Sequence, residues 1–258
     1  MNSLVKADYR RIAKIKVPTP MHISSGLDLE QSLLDQVLKG DAQCGYALWR
    51  SKQALVVPKS ATHRDNFKQA CDFCAEQGWP VVVRSTGGEL TPQSEGFINL
   101  SIVLKCKKGQ LSIKESYQVI CQAIIQWLAE QNITGSCSSI DGAFCDGDFN
   151  VVVDGQKLVG TAQRWKKITD PAVREDGSDM ALLMHAVILC DGDLSSMWNI
   201  SNAFYKTCNL KPFIIDNKHI SLSQLLNSGG EGFVIKMLDG LDLSLSKYID
   251  EFSENHFK

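Results

Sequence analysis

Charge of one sign is what this 258-residue sequence most clearly lacks: 27 lysines and arginines stand against 29 aspartates and glutamates, a formal balance of -2. Without a basic field to meet phosphates or an anionic headgroup layer, the expectation is no nucleic-acid partner and no membrane partner. Long apolar runs are lacking as well. The stretch Met180 to Cys190 falls well short of the roughly 20 residues that cross a bilayer, and His185 interrupts it. The basic segment Met1 to Pro20 has neither the apolar centre nor the small-residue cleavage site of a secretory signal, so the cytoplasm is the expected compartment. A disulfide framework is a poor fit to nine cysteines, an odd number, several of which, such as Cys121 and Cys190, lie in apolar runs where a thiol packs as a small hydrophobe. Cys71 and Cys74 form a CxxC, but inside a helical run and with no second Cys/His pair at zinc spacing, so packing rather than metal binding is expected there. Internal repeats and low-complexity tracts are missing too.

What remains is an ordinary globular composition, 44% apolar and 22% charged, able to build a sizeable core. Leu27 to Gly40 has apolar residues at helical spacing and a glycine stop. The runs GYALWR and ALVVPKS read as short strands, HRDNFKQACDFCAEQGW as a helix ending at Gly78, and Pro80 to Arg84 as a buried strand. A glycine-containing loop then leads to a strand over Phe97 to Lys105. Ser112 and Glu115 have capping-box spacing ahead of the long periodic run SYQVICQAIIQWLAEQN, which predicts a helix of about four turns or more. DFNVVV and QKLVGTAQRW are joined at Asp154-Gly155, a hairpin turn signal. A polar excursion over Ile168 to Asp179 separates them from the strand MALLMHAVILC, and the rest reads as helical. Strands and helices come in mixed blocks without regular βαβ alternation, which predicts an α+β fold: a mixed, largely antiparallel β-sheet flanked by helices. Residues 1–258 are expected to form one domain with a helical C-terminal region from about residue 192.

Two segments stand apart. In the first, Arg84 ends a strand and leads through Gly87 and Gly88 into GELTPQSEGFINLS; paired glycines let backbone N–H groups approach a ligand, although a plain β-turn accounts for a Gly-Gly equally well. In the second, Lys157 precedes the small residues Gly160, Thr161 and Ala162, which could line a narrow slot for a linear apolar chain with the ammonium at its mouth. A lysine at a strand start is otherwise simply solvated. His185 reads as a satisfied strand histidine.

Together RSTGGELTPQ, GFINLS and above all DGQKLVGTAQRW resemble the lipoate-protein ligase and octanoyltransferase families, relatives of biotin protein ligase, with element order matching over roughly Leu27 to Asp191. The resemblance implies a class II synthetase and biotin-protein-ligase-like fold and an acyl group held between the glycine loop and the lysine hairpin. Carried over by position, Lys157 is the catalytic residue that meets the acyl carbonyl, and Arg84, Gly87, Gly88, Gln93, Asn99, Gly160, Thr161 and Ala162 bind the acyl substrate. The transferred group is lipoate or octanoate; the partner is a lipoyl-carrier domain of the glycine cleavage H protein or 2-oxoacid dehydrogenase E2 type.

Two features bear on how the acyl group is activated. Glu89 replaces the third residue of the family's usual GGG or GGA and Gln93 stands where many ligases have a His, so use of ATP and Mg is left open. Cys145 matches the position of the nucleophile in the cysteine-dependent transferases. A thiolate there could attack the donor carbonyl and pass the acyl group to a carrier lysine, with Lys157 favouring the thiolate and holding the oxyanion. Asp146 and Asp148 oppose a thiolate unless they point away. The stretch after Asp191 is short for a full accessory domain of the ATP-dependent ligases. The expectation is protein lipoylation by lipoyl or octanoyl transfer through a Cys145 thioester; the alternatives are an ATP-dependent ligase working through an acyl-adenylate, a biotin protein ligase, and a non-catalytic paralogue that binds lipoate or its carriers.

Overall fold

The computed structural model describes residues 12–175, 177–211 and 214–256. Among them the chain runs β1 (Ile12–Met21), α1 (Ile23–Leu38), β2 (Cys44–Ser51), β3 (Ala54–Pro58), α2 (Phe67–Glu76), β4 (Val81–Arg84), β5 (Thr91–Gln93), β6 (Ile98–Lys107), α3 (Ile113–Glu130), β7 (Ser136–Ser138), β8 (Asn150–Val153), β9 (Gln156–Lys167), β10 (Asp179–Ile188), α4 (Leu194–Thr207), α5 (Leu222–Leu226) and α6 (Glu231–His256). The large sheet has the order β1-β2-β6-β10-β9-β8-β7 and a small one the order β4-β3-β5. Parallel pairing is confined to β1 with β2 and β3 with β4; the other ladders are antiparallel. The mixed, largely antiparallel sheet flanked by helices is therefore as the pattern of elements implied.

Local chemistry explains most boundaries. The Ser112 hydroxyl accepts from Glu115 N–H at 3.1 Å while the Glu115 carboxylate accepts from Ser112 N–H at 2.8 Å, satisfying donors that the first turn of α3 leaves open. Asp154 and Gly155 take φ of 49° and 76°, the doubly left-handed turn whose twist suits a two-residue hairpin, and so fix β8 against β9. One helix starts earlier than periodicity indicates: α1 begins at Ile23, with the His22 ring accepting from Ser24 N–H at 3.3 Å. Gly26 sits inside this helix because a Cβ there would lie 2.1 Å from the Trp49 ring.

One reading of the sequence needs correction, and one strand was not foreseen. Pro80 to Arg84 is not a buried strand: β4 begins at Val81, forms the edge of the small sheet, and leaves Val83 42% exposed. Ile12–Met21, to which the sequence reading assigned no element, forms the edge strand β1, in which Ala13, Ile15 and Val17 alternate with Lys14 and Lys16 and pack on the core beside α1. It is held by backbone pairing to β2, and its outward Lys14 and Lys16 reach Asp250 at 3.4 Å and Asp239 at 3.0 Å on α6. Lysines on an edge also discourage pairing with another chain.

The core lies on both faces of the large sheet. One cluster joins it to α3, α4 and α6 around Trp127, Trp198 and Phe204; the other packs Leu33, Leu34 and Val37 of α1 against Trp49, Val103 and Leu183. Arg50, 1% exposed, fastens the start of α6 by two bonds to the Glu231 carboxylate at 2.6 and 2.7 Å. The C-terminal helices thus pack on the same sheet that carries the motif hairpin.

Candidate functional site

The hairpin β8–β9 and strand β10 form the floor of the site, the Ser85–Leu90 loop covers one side, and Ile140–Phe149 covers the other. Two depressions meet there. A narrow slot of only about 10 Å³ is lined by Arg84, Thr91, Gly160, Thr161, Ala162 and His185, and an outer groove of about 340 Å³ by Arg64, Glu89, Asp141, Tyr205 and Lys211 among others. Phe144 and Cys145 wall both.

Lys157 is fully buried, not at an open mouth, because β9 points it inward under the loop. Its Nζ donates to the carbonyls of Phe144 at 2.6 Å and Cys145 at 3.0 Å and lies 4.1 Å from the centre of the Phe144 ring. Burial draws its pKa down to about 8, against the opposing pull of Cys145 and Asp146. Gly160 leaves room for this arrangement: a Cβ there would stand 3.2 Å from the Phe144 ring and 3.3 Å from Lys157 Cε.

Phe144 is fixed at every polar atom. Its carbonyl takes Lys157, and its N–H donates to His219 Nε2 at 3.0 Å. The His219 ring lies 4.1 Å from Trp198 and 5.5 Å from Phe144, centre to centre, with Nδ1 3.3 Å from the Asp216 carbonyl. One arrangement serves both contacts: the proton sits on Nδ1 and the Nε2 lone pair accepts. Burial, first, and the nearby Lys157 charge push His219 down to about 4, so the ring stays neutral at pH 7 and keeps that lone pair.

This anchoring places Cys145 at φ 41°, a left-handed conformation that a residue with a Cβ adopts only under surrounding constraint. Its Sγ accepts from Glu89 N–H at 3.1 Å. Gly88, at φ 99°, must be glycine: an added Cβ would be 2.9 Å from Cys145 Sγ and 2.9 Å from Arg84 Nη2. Arg84 Nη2 in turn donates to the carbonyls of Gly87 at 3.0 Å and Glu89 at 3.1 Å, bracing the loop from beneath. The Asp146 carboxylate turns away from the sulfur, accepting from Ile140 N–H at 2.8 Å and Asn150 Nδ2 at 2.7 Å.

Of the residues singled out in the sequence, Lys157, Cys145, Arg84, Gly88, Gly160, Thr161 and Ala162 converge. Thr161 Oγ1 is committed to the Phe149 carbonyl at 2.6 Å. Gly87 is exposed, with open space where a Cβ would be. Gln93 and Asn99 bond each other reciprocally at 3.0 Å in both directions and do not line the slot, so their amides are already satisfied. The helical CxxC packs against α4: Cys74 is fully buried, and burial lifts Cys71 to about 11 and Cys74 to about 12. Among the described residues no group of three or more His, Cys, Asp or Glu side chains is placed to hold a metal ion.

Residues 22–238 match the lipoyl protein ligase A/B catalytic domain. The chain belongs to that family. An uncharacterized protein of Cupriavidus necator is 28% identical over 212 residues, covering 80% of this chain and 83% of its own length. An octanoyl-GcvH:protein N-octanoyltransferase of Kyrpidia tusciae is 29% identical over 196 residues, 75% of this chain and 65% of that one. Some further transferases of that name are spanned over only about half their length, 48% for the one from Anoxybacillus flavithermus. The crystal structure of a lipoate-protein ligase A bound with ATP superposes with a TM-score of 0.67 at 15% identity, covering 92% of this chain and 85% of that one, which establishes the shared fold.

Within this family site the structure adds residues that the sequence did not single out or read otherwise. His185 is indeed satisfied within its strand, but its ring also faces the slot, 3.4 Å from the Glu30 carboxylate on α1; Ser101 donates to the other Glu30 oxygen at 2.7 Å. Burial alone would raise the Glu30 pKa, but the His185 charge, bonds from His185 and Ser101, and the Arg84 charge together hold it below the usual range. A signal for Glu30 existed: it falls in the buried stripe Gly26, Glu30, Leu33, Leu34, Val37 of α1, where a carboxylate needs a partner. No such signal marks His219, which lies far along the chain in an irregular segment. Arg64 and Tyr205, on the groove wall, also come from separate elements; Arg64 Nη2 bonds the Glu89 carboxylate at 3.0 Å.

Proposed function

We propose that this chain transfers an octanoyl or lipoyl group to a lysine of a lipoyl-carrier domain, through a thioester on Cys145. The observation that carries the reading is the placement of Cys145 Sγ at the junction of slot and groove, held at φ 41° and accepting from Glu89 N–H. The acyl chain would enter over Gly160, Thr161 and Ala162 as the Ser85–Leu90 loop yields and widens the slot, and the carrier arm would lie in the groove. Relatives named as octanoyl-GcvH:protein N-octanoyltransferases support octanoate as the group and a carrier of the glycine cleavage H protein type as partner. Residues 1–258 are read as one catalytic domain whose helical region completes the site through His219. Free thiols at all nine cysteines fit a reducing compartment such as the cytoplasm, and among the described residues no helix is long and apolar enough to cross a membrane.

In the first half-reaction the Cys145 thiolate attacks the donor carbonyl, forming the C–S bond while the carbonyl becomes an oxyanion. The oxyanion collapses, the bond to the donor's nitrogen or sulfur breaks, and the departing group takes a proton. In the second, a neutral carrier lysine attacks the thioester, loses a proton and expels the thiolate. Backbone N–H groups of the Gly88–Glu89 loop and the Lys157 ammonium are the available oxyanion donors. Lys157, which lines neither depression, would reach the oxyanion by releasing the Cys145 carbonyl while its bond to the Phe144 carbonyl keeps the loop anchored.

The test is intact mass after incubation with octanoylated carrier and no ATP. An octanoyl adduct that is absent in Cys145→Ala supports the reading. No adduct, with octanoyl-adenylate forming on addition of ATP and magnesium, overturns it in favour of a ligase; bound lipoate without either activity overturns it in favour of a binding protein.

A further inference from the structure

We infer, on the reading of Cys145 as the attacking group, that Arg64 is a positioning residue for it: by gripping the Glu89 carboxylate, Arg64 holds the Glu89 N–H against Cys145 Sγ. The contacts form an unbroken chain. Arg64 Nη2 donates to the Glu89 carboxylate at 3.0 Å, and the Glu89 N–H donates to Cys145 Sγ at 3.1 Å. That N–H belongs to the peptide between Gly88 and Glu89. Gly88 has no side chain and sits at φ 99°, so it does little to fix how the peptide is turned. The turn is set from the Glu89 side, where Arg84 holds the carbonyl at 3.1 Å and Arg64 holds the carboxylate. A third small residue after Gly87 and Gly88 would leave Arg64 nothing to grip.

Arg64 is itself fixed by the C-terminal half of the molecule. It stands just ahead of α2, whose first residue, Phe67, packs edge-on against the buried Phe204 of α4 with ring centres 6.1 Å apart. Asn66, at φ 54°, donates from Nδ2 to the Thr207 carbonyl at the end of α4, 3.1 Å away. The guanidinium lies over the Tyr205 ring, 6.0 Å from its centre. Its Nη1 is buried without a partner, so Glu89 is the one ion-pair contact this guanidinium makes among the described residues. A strap thus runs from α4 through Arg64 and Glu89 to the sulfur, separate from the one that reaches Phe144 through His219.

Arg64 also walls the groove, which gives it a rival role, direct contact with the carrier arm. The two roles differ in kinetics. Positioning acts on the reacting geometry and lowers kcat when lost, whereas contact with the carrier raises KM. Glu89 is half-exposed at its carboxylate, so the grip is a moderate one and its loss a matter of a few-fold.

The full-length chain is compared with Arg64→Met, which keeps the stem over Tyr205, with Arg64→Lys, and with Glu89→Ala, an exposed site that carries the test should Arg64→Met fold poorly. Deuterium exchange over Ser85–Leu90 should quicken about three- to fivefold in Arg64→Met and Glu89→Ala, with Arg64→Lys in between. Carrier octanoylation should lose a similar factor in kcat with KM unchanged, and the double variant should be no slower than either single one. Exchange that stays the same overturns Arg64 as a positioning residue, as does a raised KM at constant kcat or losses that multiply in the double variant. If the unvaried chain forms no octanoyl adduct, the transfer reading falls by itself, and the exchange rates alone decide whether Arg64 positions the Glu89 N–H.

Discussion

The loops Ser85–Leu90 and Ile140–Phe149 meet at Cys145 Sγ, but they are held in opposite ways. The first is exposed over Gly87, Gly88 and Glu89 and is held from outside by arginine side chains, Arg84 on the Gly87 and Glu89 carbonyls, Arg64 on the Glu89 carboxylate and Arg164 on Ser85 Oγ. The second has Phe144 pinned by a buried lysine, a neutral histidine and two stacked rings. The side that carries Cys145, the nucleophile of the proposed reaction, is tied to the core. The side that would admit an acyl chain on the proposed reading is tied through side chains at its ends and leaves its two glycines exposed, so it can yield.

The sharpest way to break this contrast is Lys157→Ala, which removes both carbonyl contacts and the cation near the reacting carbonyl. Acyl transfer should fall by about 10²–10³ in kcat, measured as carrier octanoylation; a loss under tenfold would mean that the buried lysine is only structural. Next is His219→Leu, which strands the buried Phe144 N–H. Unfolding free energy should drop by about 1–3 kcal/mol in a denaturant titration, and His219→Gln, which can both accept and donate, should recover most of it.

The same histidine sets a pH dependence. Its folded pKa of about 4 is below the ordinary value of 6.5, so the unfolded chain binds the proton first. Stability contributed by the neutral ring is present above 6.5, is lost as pH falls from there through 4, and totals up to about 3 kcal/mol. The loss should be smaller in His219→Gln. Lys157 sets a limit at the other end: with its pKa near 8, the ammonium that meets the oxyanion is lost above that pH, so kcat/KM should decline on the alkaline side. Lys157→Arg, if active, should carry that limb upward.

The smallest effects belong to the yielding loop. Gly88→Ala adds strain at φ 99° and crowds the Cys145 sulfur, and should slow both alkylation of Cys145 and transfer several-fold. Gly87→Ala, with open space around it, should change stability by no more than about 0.5 kcal/mol. Equal effects at the two glycines would remove the distinction between them.

Most elements and the seven convergent site residues were legible because their signals are local. A capping box at Ser112 and Glu115, a left-handed turn at Asp154-Gly155 and small residues behind Lys157 each lie within a few positions of one another. What escaped depends on neighbours far along the chain. β4 is half-exposed because it is an edge, although β1, whose Ala13, Ile15 and Val17 alternate with two lysines, did carry a local strand signal. Gln93 and Asn99 fall out of the slot because each finds the other.

The sequence by itself determined the α+β pattern, since periodicity and turn chemistry are written in adjacent residues, and its two motifs resemble those of the family to which the chain belongs. Only the tertiary structure decided that Lys157 is buried against Phe144 and not waiting at an open mouth, and that His219 holds that loop from the C-terminal region. Burial and long-range hydrogen bonds set those outcomes, and they arise from packing between distant elements rather than from any short run of residues.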